Sequence, residues 1–164
     1  MLSNGMLSLR DRLLEVPQVG KISWIGVRGE HGADLTELDE VEAIEGRGLA
    51  GDLAALARVG GNRQVTLVQA EHLPVLSAFT GARVSAGQLR RNLVVSGINL
   101  IALSKLEFQI GDEVVLRGTG ACAPCSKMDE TLGYGGFQAM RGHGGITAQV
   151  VHGGTIRLAD SVRV

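Results

Sequence analysis

Apolar and polar residues alternate over short runs along most of the chain, a period of two that predicts strands and few long helices. Lys21-Ile-Ser-Trp-Ile-Gly-Val27, Arg63-Gln-Val-Thr-Leu-Val-Gln69, Arg91-Asn-Leu-Val-Val-Ser96, Asp112-Glu-Val-Val-Leu-Arg117 and Ile146-Thr-Ala-Gln-Val-Val151 carry that pattern. Trp24 is expected to pack. Another apolar stretch runs from Ile101 to Gln109, with Gly111-Asp112 as the turn before the next strand. The segment from Asp34 to Glu45 fits a surface strand or an amphipathic turn of helix equally, because Leu38, Val41 and Ile44 follow neither period cleanly. The helical pattern is confined to Ala70–Phe79, with Pro74 in the opening turn and Gly81 as the stop, and to a shorter stretch at Leu7–Val16.

The tail repeats the strand style. Ile146–Val151, the Gly153-Gly154 pair and Thr155-Ile-Arg-Leu158 read as a hairpin, followed by a last strand at Ser161–Val164. Leu158-Ala-Asp160 echoes Ile110-Gly-Asp112, as two small-Asp corners before Val-rich strands would. Short strands at close spacing, glycine turns and one or two convincing helices predict a mainly β barrel with a few short helices rather than a βαβ sheet. We read one domain: a leader over residues 1–20 and a barrel over residues 21–164.

Composition sharpens this picture in two places. Glycine makes up 24 of 164 residues, about twice the ordinary share of roughly 7%, so many tight turns are expected. Sixteen basic side chains against seventeen acidic ones give a net charge of −1, which argues against the broad basic field of a nucleic-acid binder. Apolar runs fall far short of the ~20 residues that span a bilayer, and Met1–Arg10 does not read as a secretory signal. The expectation is a cytoplasmic protein. Arginine outnumbers lysine thirteen to three, a bias toward the side chain that makes planar contacts with phosphate and carboxylate and one that base composition explains equally well.

Candidate chemistry gathers in Gly118-Thr-Gly-Ala-Cys122-Ala-Pro-Cys125-Ser-Lys127, which holds both cysteines of the chain. A thioredoxin-like dithiol needs a βαβ setting, and a zinc site needs two further ligands closer than His143 and His152. A single reactive thiolate, favoured by Lys127 and nearby arginines, competes with two buried inert thiols. Pro124 and the absence of a βαβ unit exclude a dinucleotide fingerprint at Gly118. Arg90-Arg91-Asn92 and Arg141-Gly-His143-Gly144-Gly145 each set cations beside glycine-rich backbone suited to an anion such as phosphate. Both also fit solvated strand ends. Asp52 and Glu71 are the remaining polar positions near element ends, and Asp52 is suited to capping a turn.

Glu45-Gly-Arg-Gly-Leu-Ala-Gly-Asp52, Arg63-Gln-Val-Thr-Leu, Glu71, Arg91-Asn-Leu-Val-Val-Ser-Gly97, Phe108-Gln-Ile-Gly-Asp112, Cys122-Ala-Pro-Cys125 and Arg141-Gly-His-Gly-Gly145 occur in that order. Together they resemble the MOSC domain, named for the C-terminal region of molybdenum cofactor sulfurases, over roughly Ile22 to Val164. The resemblance implies a mixed β-barrel of the pyruvate-kinase-like kind and a role around the molybdenum cofactor. It makes Cys125 the first candidate to ligate molybdenum or carry sulfur, and Cys122 the second. Arg90, Arg91, Asn92, Arg141, His143 and Gly144 become candidates to hold the phosphate of a molybdopterin-type cofactor. The chain lacks the pyridoxal-phosphate-dependent desulfurase portion of larger fused relatives, and its lysines have no Schiff-base context, so pyridoxal phosphate is not expected in it. A cysteine desulfurase or a redox partner would supply sulfur or electrons. The implied activities are sulfur transfer, or molybdenum-dependent reduction of N-oxygenated small molecules. The alternative is a non-catalytic cofactor-binding or interaction module with inert cysteines.

Overall fold

The computed structural model describes residues 7–164. Among the described residues there are eleven strands: β1 (Gly20–Val27), β2 (Thr36–Glu37), β3 (Glu40–Ile44), β4 (Gly48–Leu49), β5 (Val65–Gln69), β6 (Leu93–Ser96), β7 (Glu107–Ile110), β8 (Val114–Ala121), β9 (Ile146–His152), β10 (Gly154–Arg157) and β11 (Ser161–Arg163). Four short helices accompany them: α1 (Leu9–Leu14), α2 (His72–Thr80), α3 (Lys127–Leu132) and α4 (Gly136–Met140). Among the described residues no helix is long and apolar enough to cross a membrane.

Seven strands close into a barrel in the order β1-β6-β5-β9-β8-β7-β11, with β11 returning to pair with β1. All neighbours are antiparallel except β5 and β6, which run parallel with α2 crossing between them. The barrel reading therefore stands, with one βαβ unit in it that the strand spacing did not announce. Val-rich β5 and β6 show why the pair sits at the centre. Leu67, Leu93 and Val95 point into the barrel beside Ile22, Phe108, Ile146 and Val162, while Val68 and Val94 point outward. The outward pair seeds a second apolar cluster with Leu76 of α2, Met128 of α3 and Ala139 and Met140 of α4, and Trp24 packs against it half-buried.

The expected tail hairpin does not form. Gly153 alone separates β9 from β10, yet β10 pairs with β3, Gly154 opposite Ala43 and Arg157 opposite Glu40. The glycines let the chain leave the barrel: Gly154 has φ +151°, and a Cβ on Gly153 would stand 2.6 Å from the Ala43 carbonyl. β3, β4 and β10 form a separate small sheet, which resolves the Asp34–Glu45 segment as strand. The two Asp corners are real and touch. Gly111 and Ala159 both have positive φ, and the Gly111 N–H donates to the Ser161 carbonyl at 2.9 Å. The Ile101–Gln109 stretch divides into a 3-10 turn at Leu100–Leu103 and strand β7.

Candidate functional site

Where β1 ends and β6 begins, the barrel wall opens into a cavity of about 420 Å³. Its polar floor is built from residues that cannot leave their partners. The buried Asn92 amide oxygen accepts from the Thr66 N–H at 3.0 Å and the Thr66 hydroxyl at 3.1 Å. Its Nδ2 donates to the Gly26 carbonyl and to Asp52 Oδ1, each at 3.1 Å. Asp52 also accepts the N–H groups of Arg28 at 2.9 Å and Ala54 at 3.2 Å, so the carboxylate caps the turn at Leu53–Leu56 as its position suggested. Burial pushes the Asp52 carboxyl up from the ordinary range, against the opposing bonds from Ala54 and Asn92. The network is fully paired, which makes it a rigid floor.

Arg28, Arg63, Arg90 and His31 line the same cavity. Among the described residues the only ion pairs are Arg117–Glu107 and Arg157–Glu40. Three arginines thus line one cavity, and among the described residues none of them forms an ion pair. Arg90 is held there by a left-handed backbone, φ 58° and ψ 35°, rare for a residue with a Cβ and costing on the order of 1 kcal/mol. That turn directs Arg90 to the cavity and Arg91 into the protein.

Arg91 is 3% exposed. It donates from Nε to the Gly144 carbonyl and from Nη1 to the Leu89 carbonyl, each at 2.9 Å. Burial lowers its pKa first of all; Cys122 and, more weakly, Cys125 act the other way, and Arg63 adds to the lowering. Both thiols therefore lie within the electrostatic reach of Arg91. Cys122 continues the line of β8, its N–H donating to the Gly145 carbonyl at 2.8 Å, and it is buried. Cys125 is exposed, just ahead of α3. A Cβ on Gly144 would strike the Cys122 carbonyl, so only glycine lets these two segments approach so closely.

The remaining sequence candidates lie elsewhere. His143 packs edge-on against His72 at 4.9 Å between ring centroids and shares Nδ1 with the Ala139 carbonyl at 3.0 Å, on the α2–α4 side. Arg141 is exposed and donates to Gln138 at 3.2 Å. Glu71 secures the ends of β5 and β6 by accepting from the Gly97 N–H at 2.6 Å and from Gln69 at 2.8 Å. Those bonds outweigh the burial that would raise it and hold its carboxyl below the ordinary range. Lys127 is exposed at the start of α3, and His152 hydrogen-bonds the Glu113 carbonyl at 2.8 Å. Arg28, His31 and Arg63 did not stand out as cavity groups in the sequence; the signal available was Arg63 opening a strand whose partner begins with Arg91.

Among the described residues no three of His, Cys, Asp and Glu gather to hold a metal ion. A metal held through Cys125 would have to bring most of its own ligands, as a pterin-bound molybdenum does.

The chain is a closed mixed β-barrel with a cavity lined by arginines. The chain belongs to the MOSC domain family, which it matches over residues 31–163, and the family is associated with the molybdenum cofactor. No curated protein sequence is significantly similar to it. Its fold is shared by the YuaD protein of Bacillus subtilis at TM-score 0.76 and 18% identity, covering 90% of this chain and 97% of that one. YiiM of Geobacillus stearothermophilus follows at TM-score 0.69 and 17% identity, over 88% and 74% of the two chains. YiiM of Escherichia coli gives 0.66 and 18%, over 87% and 68%.

Proposed function

We propose that the barrel from residue 21 onward binds a molybdopterin-type cofactor, with Arg28, Arg63 and Arg90 holding its phosphate and Cys125 meeting the metal or carrying sulfur toward it. The observation that carries this reading is that three arginines, none in an ion pair among the described residues, line one cavity of suitable size. Family membership supports the choice of anion. The fit is chemical as well: planar guanidinium forks suit a phosphate, and an exposed soft thiolate suits molybdenum or a persulfide. The cofactor, when bound, supplies a redox-active metal centre. The chain's residues neutralise its charge, fix it against the Asn92–Asp52 floor and leave one thiol exposed beside the Arg91 cation. Sulfur or electrons reach the site from a partner.

The test is molybdenum content by elemental mass spectrometry after mixing the purified protein with molybdenum cofactor and gel filtration. Near one metal per chain is expected, with loss in an Arg63→Ala/Arg90→Ala variant. Loss in Cys125→Ala assigns the thiol as ligand. Retention there assigns it to sulfur carriage or leaves a carrier module. No metal in the wild type overturns the reading.

A further inference from the structure

The two cysteines occupy opposite environments three positions apart. Cys122 is 3% exposed and Cys125 is exposed, and both are free thiols. Cys122 is also anchored through its backbone. Its N–H is bound to Gly145, and the Gly144 backbone lies against its carbonyl so closely that no side chain fits between them. Cys125, in contrast, follows Ala123-Pro124 in irregular chain between the end of β8 and the start of α3. A bulky sulfur donor can reach the second thiol and not the first.

Near Cys122 lies a cation with unused capacity. Arg91 is buried, has no carboxylate partner among the described residues, and places two of its nitrogens on carbonyls. Its Nη2 makes no hydrogen bond among the described residues and lies 3.4 Å from where a Cβ on Gly144 would stand, on the side of the Cys122 carbonyl. A guanidinium with an unused donor favours an anion beside it. The two thiols are the acidic groups that act on Arg91, Cys122 ahead of Cys125.

We propose that Cys122 is the resolving thiol for a persulfide on Cys125, so that the pair releases carried sulfur as sulfide next to Arg91. This rests on the reading that Cys125 carries sulfur. Loading is an exchange with a donor persulfide: the Cys125 thiol takes the outer sulfur, and the donor returns to a thiol. Release is then internal. Cys122 attacks the Cys125 Sγ, the bond between that sulfur and the outer one breaks, and a Cys122–Cys125 disulfide forms. The outer sulfur leaves with the electron pair of the broken bond and takes up the Cys122 proton, departing as hydrogen sulfide. The outer sulfur is reduced and the two cysteine sulfurs are oxidised. A dithiol reductant returns the pair to thiols for the next cycle. Arg91 stabilises the thiolate that attacks and the hydrosulfide that leaves. The buried position of Cys122 confines it to attack on its own neighbour, which protects the carried sulfur from other thiols until the loop brings the two together.

The experiment treats the reduced full-length chain with inorganic polysulfide, removes the excess, and follows sulfide release alongside intact mass. In the wild type a species one sulfur heavier gives way to one two hydrogens lighter than the starting protein, with about one sulfide released per chain. Peptide mapping then finds the Cys122–Cys125 link. Cys122→Ser keeps the added sulfur at least about tenfold longer and forms no disulfide. Cys125→Ser takes up none. If the wild type loads sulfur but Cys122→Ser releases sulfide equally fast, or no internal disulfide appears, the resolving role is overturned while sulfur carriage stands. If the wild type takes up no sulfur, the carrier reading fails and this inference fails with it. The mapping on wild-type protein decides the matter even where the serine variants do not fold.

Discussion

Arg91 donates from Nε to the Gly144 carbonyl at 2.9 Å and so ties the start of β6 to the turn before β9, 53 positions along the chain. The bond joins the residues that shape the arginine cavity to the segment that fixes Cys122. Two regions that read as separate anion candidates in the sequence are one structural unit, with the guanidinium as the link.

Replacing Arg91 by Met keeps bulk and leaves the Leu89 and Gly144 carbonyls without donors. Each orphaned buried acceptor costs about 1–3 kcal/mol, partly offset by removing a buried charge. The expected loss is about 2 kcal/mol in urea unfolding. Arg91→Lys falls short as well, since one ammonium does not reproduce a planar fork spanning two carbonyls. A lysine variant as stable as wild type contradicts this account.

Gly145 has φ +79°, and a Cβ there would strike the Leu67 carbonyl. Gly145→Ala therefore combines backbone strain with overpacking, and about 3 kcal/mol of destabilisation is expected. Gly81→Ala is the control. Its φ is +74° but nothing lies within 4 Å of the added methyl, so it loses only the cost of the left-handed turn, about 1 kcal/mol. Equal losses in the two variants would remove the packing argument.

His72 gives the fold an acid-sensitive contact. Its Nδ1 is buried without a partner; burial and then His143 hold its pKa below the ordinary imidazole value, with Glu71 opposing. The unfolded chain binds this proton at higher pH than the folded one. Stability is thus complete above the ordinary imidazole pKa of about 6.5 and is lost as pH falls through the lower folded value. Asp52 has the opposite sign: its raised carboxyl contributes below the ordinary carboxylate pKa and loses that contribution as pH rises through the folded value. Thermal melts between about pH 8 and pH 5 are expected to show a falling Tm that His72→Phe flattens. Parallel profiles for the two proteins rule the contact out as the cause.

Phosphate alone is expected to stabilise the protein through the cavity arginines. Arg28→Ala, Arg63→Ala and Arg90→Ala should each weaken inorganic phosphate or pyrophosphate binding about tenfold, the value of one charge-assisted hydrogen bond. Added salt should weaken it further. Arg58→Ala, an exposed arginine not among those lining the cavity, should leave it unchanged. Calorimetric titration separates these outcomes, and equal effects at Arg58 and Arg63 argue for diffuse attraction.

The strands were legible where they meet the core, because β9 alternates buried and half-buried positions along its first six residues and β5 is a short, wholly buried run dominated by Val, Thr and Leu. The pairing of β10 was not. Adjacent glycines signal a hairpin locally, and only the distant β3, across more than a hundred positions, offers the better partner. α3 and α4 escaped notice because five- and six-residue helices around Gly133 and Gly135 carry too few turns to show a period. At the site, Arg91, Asn92, Cys122 and Gly144 were visible as polar or glycine positions beside strand ends. Their opposite orientations were not, since the left-handed turn at Arg90 cannot be read from an Arg-Arg pair. Arg28 and Arg63 come from separate loops and acquire meaning only once the barrel brings them together.

The barrel is closed by β1 and β11, Gly20 opposite Val162 and Lys21 opposite Ser161. Synthesis order therefore imposes a waiting period. β1 can find β6 while the chain is still emerging, but the ring of hydrogen bonds stays open until Ser161–Arg163 leaves the ribosome, and during that interval the edges of β1 and β7 are exposed to other nascent chains. The same seam offers a place to cut and rejoin the chain. A permuted polypeptide that joins the neighbourhood of Val164 to that of Gly20 and begins in a surface loop would turn the slowest, most distant pairing into a local one, and should fold faster for it.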